Sequence, residues 1–299
     1  MKKVLVITGP TAVGKSALAI TLAKQFNGEI ISGDSIQVYK GFDIGSGKIK
    51  DEEMAGVPHH LLDVLQPQES FSVYDFQTLA REKIENCEKL PILCGGTGLY
   101  LKGCLFDYQF DKDSQPVKDD PYPELNNEQL YQKLVEVDSE QAKKMHPNNR
   151  RRVLRSLHIY QSTGTTQSQH ESQQTHTMIY DTFLIGCTLP REQLYQRINQ
   201  RVEEMFAEGL VDEVNGLLKQ GVQFNDQPMR GIGYKEFQPY FEGQQTLEQV
   251  KKEIQKHSRE FAKKQYTWLN HQFSVRWLDM NSTEDKQQLI KEITSWQSQ

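Results

Sequence analysis

Gly9-Pro10-Thr11-Ala12-Val13-Gly14-Lys15-Ser16 fits the pattern G-x-x-x-x-G-K-[ST], and the rest of the chain is best read outward from it. The spacing has a mechanical reason. Glycines at both ends let the backbone wrap so that successive N–H groups point inward at phosphate oxygens. Lys15 adds a point charge, Ser16 offers a hydroxyl to a magnesium ion (Mg2+), and the following helix presents its N-terminus to the anion. The flanks supply the required context. Lys3 to Thr8 is a short β-branched run, and Lys15 to Phe26 carries Leu18, Ala19, Leu22 and Phe26 at helical spacing. Strand, turn and helix together predict phosphate binding without naming the phosphate compound.

Further strands are predicted at Glu29 to Ser32 and Leu90 to Cys94, the latter preceded by a helix from Val73 to Lys89. Strands alternating with helices imply an α/β fold, a P-loop doubly wound parallel sheet covered on both faces. The pattern then changes. Residues 107–128 hold seven acids, two lysines, Pro116, Pro121 and Pro123. Glu128 to Gln161 is helical in character and broken at Pro147. The Gln/Ser/Thr/His tract from Thr165 to Thr177 reads as a polar loop. Thr182 to Leu189 reads as a strand rejoining the sheet, with helices resuming after Pro190. The expected organisation is an inserted, mainly helical subdomain over 114–180, with 1–113 and 181–299 forming the core and C-terminal helices.

At 299 residues, 36% hydrophobic and 25% charged, the chain is long enough for a sizeable core. Val4 to Ile7 is far too short for a membrane span, and Gly9 and Pro10 interrupt any signal-peptide reading of the N-terminus. Four cysteines without CxxC spacing argue against a disulfide framework or a zinc finger. These features lead us to expect a cytoplasmic protein; a monomer is the default expectation, since nothing in the sequence resembles an interface. A net charge of -5 excludes a generally basic nucleic-acid coat, so a polyanion must meet a local patch. Two candidate patches exist. Lys143 to Arg155 contains six cations and no acid, and Lys251 to Lys264 contains six cations against two acids. The eight histidines form no metal-ligand spacing. Trp268 and Trp277 read as core anchors.

Asp34 lies just past the second strand, at the sheet edge where doubly wound folds bind ligands. A carboxylate beside a polyphosphate site is costly unless it holds metal or takes a proton, which suggests a general base. The other reading of Asp34 is an Asx-turn. The strand at Leu90 to Cys94 runs into Gly95-Gly96-Thr97-Gly98 with no acid, which weakens a nucleotide-hydrolase reading but leaves a small-molecule kinase open.

Beyond GPTAVGKS, the blocks GDSIQVYKGFDIGSGK (33–48), PHHLLDVLQP (58–67), GGTGLYLKG (95–103), HPNNRRRVLRSLHIYQSTG (146–164), RINQRVEEM (197–205), MRGIGYKE (229–236) and FAKKQYTWL (261–269) occur in order. Together they resemble the bacterial tRNA dimethylallyltransferase (tRNA isopentenyltransferase) family. The resemblance implies transfer of a dimethylallyl group from dimethylallyl diphosphate to the exocyclic amine (N6) of adenosine 37 in the tRNA anticodon loop, releasing pyrophosphate. It makes Asp34 the general base, places Thr97 at the reacting centre and Arg201 on the diphosphate, and gives residues 9–16 the prenyl diphosphate to hold. It assigns tRNA contact to Asp34, Ser35, Ile36 and Gln37, to Arg151, Arg152, Val153, Leu154 and Arg155, and to Arg230, Gly231, Ile232, Gly233, Tyr234 and Lys235. One departure stands out. The family carries an arginine near the start of the insert, whereas residues 107–128 offer only Lys112 and Lys118.

The chemistry fits these residue types. The exocyclic nitrogen of adenine is a poor nucleophile, so a base that removes its proton as the C–N bond forms helps about 10²–10⁴-fold. The target base must leave its stack, and Tyr39, Phe42, Tyr234 and Trp268 are candidate stacking rings. Competing readings are an isopentenyltransferase acting on free adenine nucleotides, a P-loop kinase, and an RNA-binding factor without catalysis.

Overall fold

The structure is a computed structural model that describes residues 1–110 and 120–299. It separates into two compact units, one made of Met1–Phe71, Phe76–Leu105 and Met178–Gln299, the other of Ser72–Asp75 and Phe106–Thr177. No helix among the described residues is long and apolar enough to cross a membrane.

In the first unit, β1 (Lys3–Thr8) leads through the glycine turn into α1 (Lys15–Phe26), and β2 (Gly28–Ser32) follows. After α2 (Asp51–Met54) and the two-residue β3 (His59–His60) comes α3 (Val73–Asn86), which belongs to this unit from Phe76 onward. β4 (Leu90–Cys94) and α4 (Gly98–Leu105) complete the first half. The sheet is six-stranded and parallel in the order β3-β2-β4-β1-β5-β6. Val4, Leu5, Val6 and Ile7 are wholly buried, as a central strand covered on both faces must be. Leu5, Ile7, Ile92 and Ile185 share one core with Leu18, Leu22, Leu194, Ile198 and Leu289 from the helices. Truncating such a residue to alanine costs about 2–5 kcal/mol.

The second unit holds α5 (Asn127–Val137), α6 (Ser139–Ala142), α7 (Arg150–Thr163) and α8 (Gln167–Gln173) around a small core of Leu130, Leu134, Ala142, Val153 and Leu157. Apart from Ser72–Asp75, this unit runs from Phe106 to Thr177; the sequence led us to expect an insert over 114–180. Residues 111–119 of the acidic 107–128 stretch, including Lys112, Pro116 and Lys118, lie outside the described residues.

The chain returns to the first unit with β5 (Asp181–Thr188), α9 (Arg191–Ala207), α10 (Leu210–Lys219), α11 (Gln238–Phe241), α12 (Leu247–Gln272), β6 (Arg276–Asp279) and α13 (Thr283–Ser298). β1 lies between β4 and β5, with Ile7 opposite both Cys94 and Ile185. The turns that follow β1 and β4 therefore open side by side at the carboxyl edge of the sheet, the position that binds ligands in such folds.

Three sequence expectations change. The polar tract 165–177 contains a helix, because Thr166 and Gln169 form a reciprocal capping box that starts α8. The helix after Ser72 stops at Asn86 and does not reach Lys89. Strands β3 and β6 are additions to the expected sheet, since two and four residues are too few to show a period.

Candidate active site

The loop of residues 9–16 is built on unusual backbone angles. Gly9 has φ 138°, and a Cβ there would come 2.6 Å from the Cys187 carbonyl oxygen, so the β1 end can approach β5 only as glycine. Ala12 sits at φ 62° and Gly14 at φ 102°. A left-handed alanine in the middle of a loop is strain that the surrounding structure must sustain. Val13 is buried and anchors the loop in the core. Lys15 folds back, and its Nζ donates to the Pro10 carbonyl at 2.7 Å.

This loop borders a cavity of about 1110 Å³. Thr11, Ala12, Gly14, Lys15 and Ser16 line one side, Asp34 and Gln37 another, and Cys94, Gly95 and Gly96 a third. One face of α9 closes it with Gln196, Arg197, Gln200, Arg201 and Glu204, while Leu194, Ile198 and Val202 on the opposite face go into the core. Phe261 and Gln265 of α12 complete the wall, and Phe261 remains 40% exposed, an aromatic ring available at the surface.

Beside the loop the cations are desolvated, although Asp51, Glu53, Glu204 and Glu208 line the same cavity. Burial pushes the Lys15 ammonium below the usual lysine value and the Arg201 guanidinium below the usual arginine value. The negative charge of Asp34 opposes both shifts but does not cancel them. Two desolvated cations on one cavity are relieved by an incoming polyanion. Burial pushes the Cys94 thiol up to about 11, so it stays neutral.

Asp34 makes the Asx-turn that one sequence reading allowed, and it lies at the cavity. Its Oδ1 accepts from the Ile36 and Gln37 N–H groups at 2.8 and 3.3 Å, an Asx-turn, and the same carboxylate lines the cavity. The turn fixes one oxygen and leaves Oδ2 for other work. Gln37 donates to the Gly47 carbonyl at 3.2 Å, and Arg201 Nη2 donates to the same oxygen at 3.2 Å. The 43–47 segment that carries this carbonyl is held by Glu213, which accepts from the N–H groups of Asp43, Ile44 and Gly45 at 3.1, 2.6 and 3.1 Å.

Other predicted residues fall elsewhere. Thr97 stands at the start of α4, its carbonyl accepting from the Tyr100 and Leu101 N–H groups, and it is not among the lining residues. Tyr39, Phe42 and Tyr234 cannot be stacking platforms, because all three rings are wholly buried and Phe42 packs on Tyr234 at 4.8 Å. The Tyr234 hydroxyl donates to Glu213 Oε1 at 2.8 Å and accepts from the Ser46 N–H at 3.0 Å, and burial raises its pKa well above the ordinary value. Trp268 and Trp277 are half-buried, against Phe273 and Tyr266 respectively. Ser35 and Ile36 are half-buried, and a Cβ on Gly231 would meet Ile36 Cδ1 at 3.1 Å, so the segments 34–37 and 230–235 pack together. Arg230 and Lys235 are exposed, Ile232 is half-buried, and Gly233 is held by Glu236, which accepts its N–H at 2.9 Å.

In the second unit, Val153 is core, Leu154 and Arg155 are half-buried, and Arg151 and Arg152 are exposed. Several cations of the basic run are paired within the unit. Lys143 pairs with Glu140, Lys144 with Glu171, and Arg150 with Asp120. Along α12, Lys251 pairs with Glu203, Lys252 with Glu248 and Lys256 with Glu253.

Arg197, Glu213 and Gln265 escaped the sequence reading. For Arg197 a signal existed, since it lies one helical turn before Arg201, and its Nη1 lies 4.0 Å from where a Gly14 Cβ would stand.

Two sequence profiles match the chain, IPP transferase over residues 37–272 and isopentenyl transferase over residues 2–68. The chain belongs to the IPP transferase family. Among its relatives, the tRNA dimethylallyltransferase of Anoxybacillus flavithermus is 47% identical over 296 residues, covering 98% of this chain and 95% of that protein. The enzyme of the same name from Bacillus subtilis is 46% identical, covering 97% and 95%. Among solved structures of IPP transferases, the tRNA delta(2)-isopentenylpyrophosphate transferase of Staphylococcus epidermidis superposes with a TM-score of 0.74 at 42% identity, covering 100% of both chains. A eukaryotic dimethylallyltransferase described as acting on tRNA superposes with a TM-score of 0.80 at 33% identity, covering 93% of this chain and 74% of that one.

Proposed function

We propose that this chain transfers a dimethylallyl group from dimethylallyl diphosphate to N6 of adenosine 37 in the tRNA anticodon loop, releasing pyrophosphate. The observation that carries the reading is one cavity in which the Asp34 carboxylate faces the desolvated cations Lys15 and Arg201. A weakly nucleophilic amine needs such a base, and the family to which the chain belongs favours an amine acceptor over a hydroxyl or water.

The loop amides, Lys15 and Arg201 would grip the diphosphate, and their attraction would grow as charge collects on the departing oxygen. The Asx-turn would hold Asp34 Oδ1 while Oδ2 takes the N6 proton. Phe261 offers its exposed ring to the flipped adenine. Closure around the prenyl chain would keep water from an allylic cation.

A magnesium ion suits the hard oxygen donors present, the exposed Ser16 hydroxyl beside phosphate oxygens of the substrate. The ion would neutralise diphosphate charge. The exposed residues Arg151 and Arg152, together with Arg230 and Lys235, are the cations we assign to the tRNA backbone.

The deciding experiment incubates the protein with dimethylallyl diphosphate, magnesium and an unmodified tRNA bearing adenosine 37, with AMP as a parallel acceptor. Prenylated adenosine in the tRNA digest supports the reading. Prenylated AMP without modified tRNA refutes it.

A further inference from the structure

We propose that Gln265 is a positioning residue that locks the phosphate loop to the Gly95-Gly96 turn and so sets where the leaving diphosphate sits, an inference that rests on the prenyl-transfer reading. Gln265 occupies the stripe of α12 that otherwise sends Val250, Ile254, Ala262 and Leu269 into the interior. A buried amide on such a stripe must pair at both ends, since each unsatisfied group costs about 1–3 kcal/mol. Its partners are informative. Oε1 accepts the Thr11 N–H at 3.0 Å, and Nε2 donates to the Gly96 carbonyl at 3.0 Å. Only this amide orientation satisfies both, because one partner is a donor and the other an acceptor.

Thr11 belongs to the turn after β1 and Gly96 to the turn after β4. The regular pairing of these strands ends with Ile7 opposite Cys94, and one further bond follows, from the Gly95 N–H to the Ile7 carbonyl at 3.1 Å. Past that bond, Gln265 ties the two turns together from a third element. Residue 96 has no room for a Cβ, which would overlap Gln265 Nε2, so the glycine admits the tie. The consequence is chemical. Loop amides aid a departing anion only when they are oriented in advance, and a displacement of about 1 Å costs on the order of 10²-fold in rate.

The test compares wild type with Gln265→Met, which keeps length and removes both hydrogen bonds, and Gln265→Glu, which keeps an acceptor for Thr11 and loses the donor for Gly96. Pyrophosphate affinity is read by calorimetry, and kcat and KM for each substrate by prenyl transfer. For Gln265→Met we expect pyrophosphate affinity at least about fivefold weaker and kcat at least about tenfold lower, with KM for tRNA within about twofold. For Gln265→Glu the ratio of kcat to that of wild type should rise as pH falls towards about 5, where a protonated carboxyl regains the donor. A lowered Tm with unchanged pyrophosphate affinity and kcat would make Gln265 an ordinary core residue and overturn the proposal. If Gln265→Met does not fold, a flat pH ratio in Gln265→Glu overturns it instead. If wild type binds pyrophosphate but prenylates no tRNA, the functional reading fails while the pyrophosphate comparison still judges Gln265.

Discussion

Arg201 and Gly47 fit each other so closely that the residue 47 side chain is excluded. Arg201 Nη2 donates to the Gly47 carbonyl at 3.2 Å, and a Cβ on Gly47, which has φ 59°, would overlap that guanidinium. The carbonyl thus holds the half-buried guanidinium against the cavity. Gly47→Ala should swing Arg201 away and strain the turn, weakening pyrophosphate binding by about tenfold or more, equivalent to about 1.4 kcal/mol. Calorimetric titration of the folded variant with pyrophosphate measures this directly.

Asp34→Asn separates the two roles of that residue. Asparagine keeps an oxygen for the Ile36 and Gln37 N–H groups, so the Asx-turn survives, while the base is lost. Prenyl transfer should fall at least about 10²-fold with pyrophosphate affinity little changed. Wild-type turnover in this variant would reduce Asp34 to a turn residue.

Lys15 trades stability for binding. Burial lowers its pKa, so the ammonium loses its proton at a lower pH in the folded chain than in the unfolded one. Between that lowered value and the ordinary 10.5 the unfolded chain binds the extra proton, and the Lys15 contribution to stability therefore rises with pH. Below this window the half-buried ammonium stays charged in both states, and the Lys15 contribution no longer varies with pH. Lys15→Met should raise the Tm of the ligand-free protein at neutral pH and lower pyrophosphate affinity by about 10²-fold or more. In wild type, pyrophosphate affinity should decline with rising pH before an ordinary lysine would discharge. Thermal melts and titrations across alkaline pH, each compared with Lys15→Met, test the sign.

Arg150 and Arg152 look equivalent in sequence and should behave oppositely. Arg150 bonds Asp120 at 2.6 Å and the carbonyls of Tyr122 and Leu125 at 2.6 and 2.8 Å, pinning the segment that leads into α5. Its replacement by alanine should destabilise the second unit by about 1–3 kcal/mol, seen as faster amide exchange over 120–130. Arg152→Ala should leave exchange unchanged and weaken tRNA binding with a shallower salt dependence.

Tyr234→Phe tests the support beneath the 43–47 segment. Loss of the hydroxyl leaves the Ser46 N–H unpaired and removes one donor from Glu213, a cost of about 1–3 kcal/mol by denaturant melting. The effect on kcat should be secondary, passing through Gly47 to Arg201.

Local patterns were enough for much of this protein. A β-branched run, two glycines and a lysine at fixed offsets prescribe strand, phosphate turn and helix, because each is set by neighbours within a few residues. The place of Asp34 beside the cavity was legible for the same reason, since it is an acid two residues past a buried strand. The ordered motif blocks carried the family. Tertiary packing decided the rest. A tyrosine written next to glycines and lysines reads as a surface ring, yet Tyr234 is interior because Glu213, 21 residues earlier, supplies the partner its hydroxyl needs. Arginines in one run differ only by which acid the fold brings near. Gln265 lies 254 residues from Thr11, and nothing in the intervening chain signals that an amide on α12 will meet the loop. Backbone shape follows from short-range sterics that sequence displays; which polar atoms become partners depends on distances that only the closed fold creates.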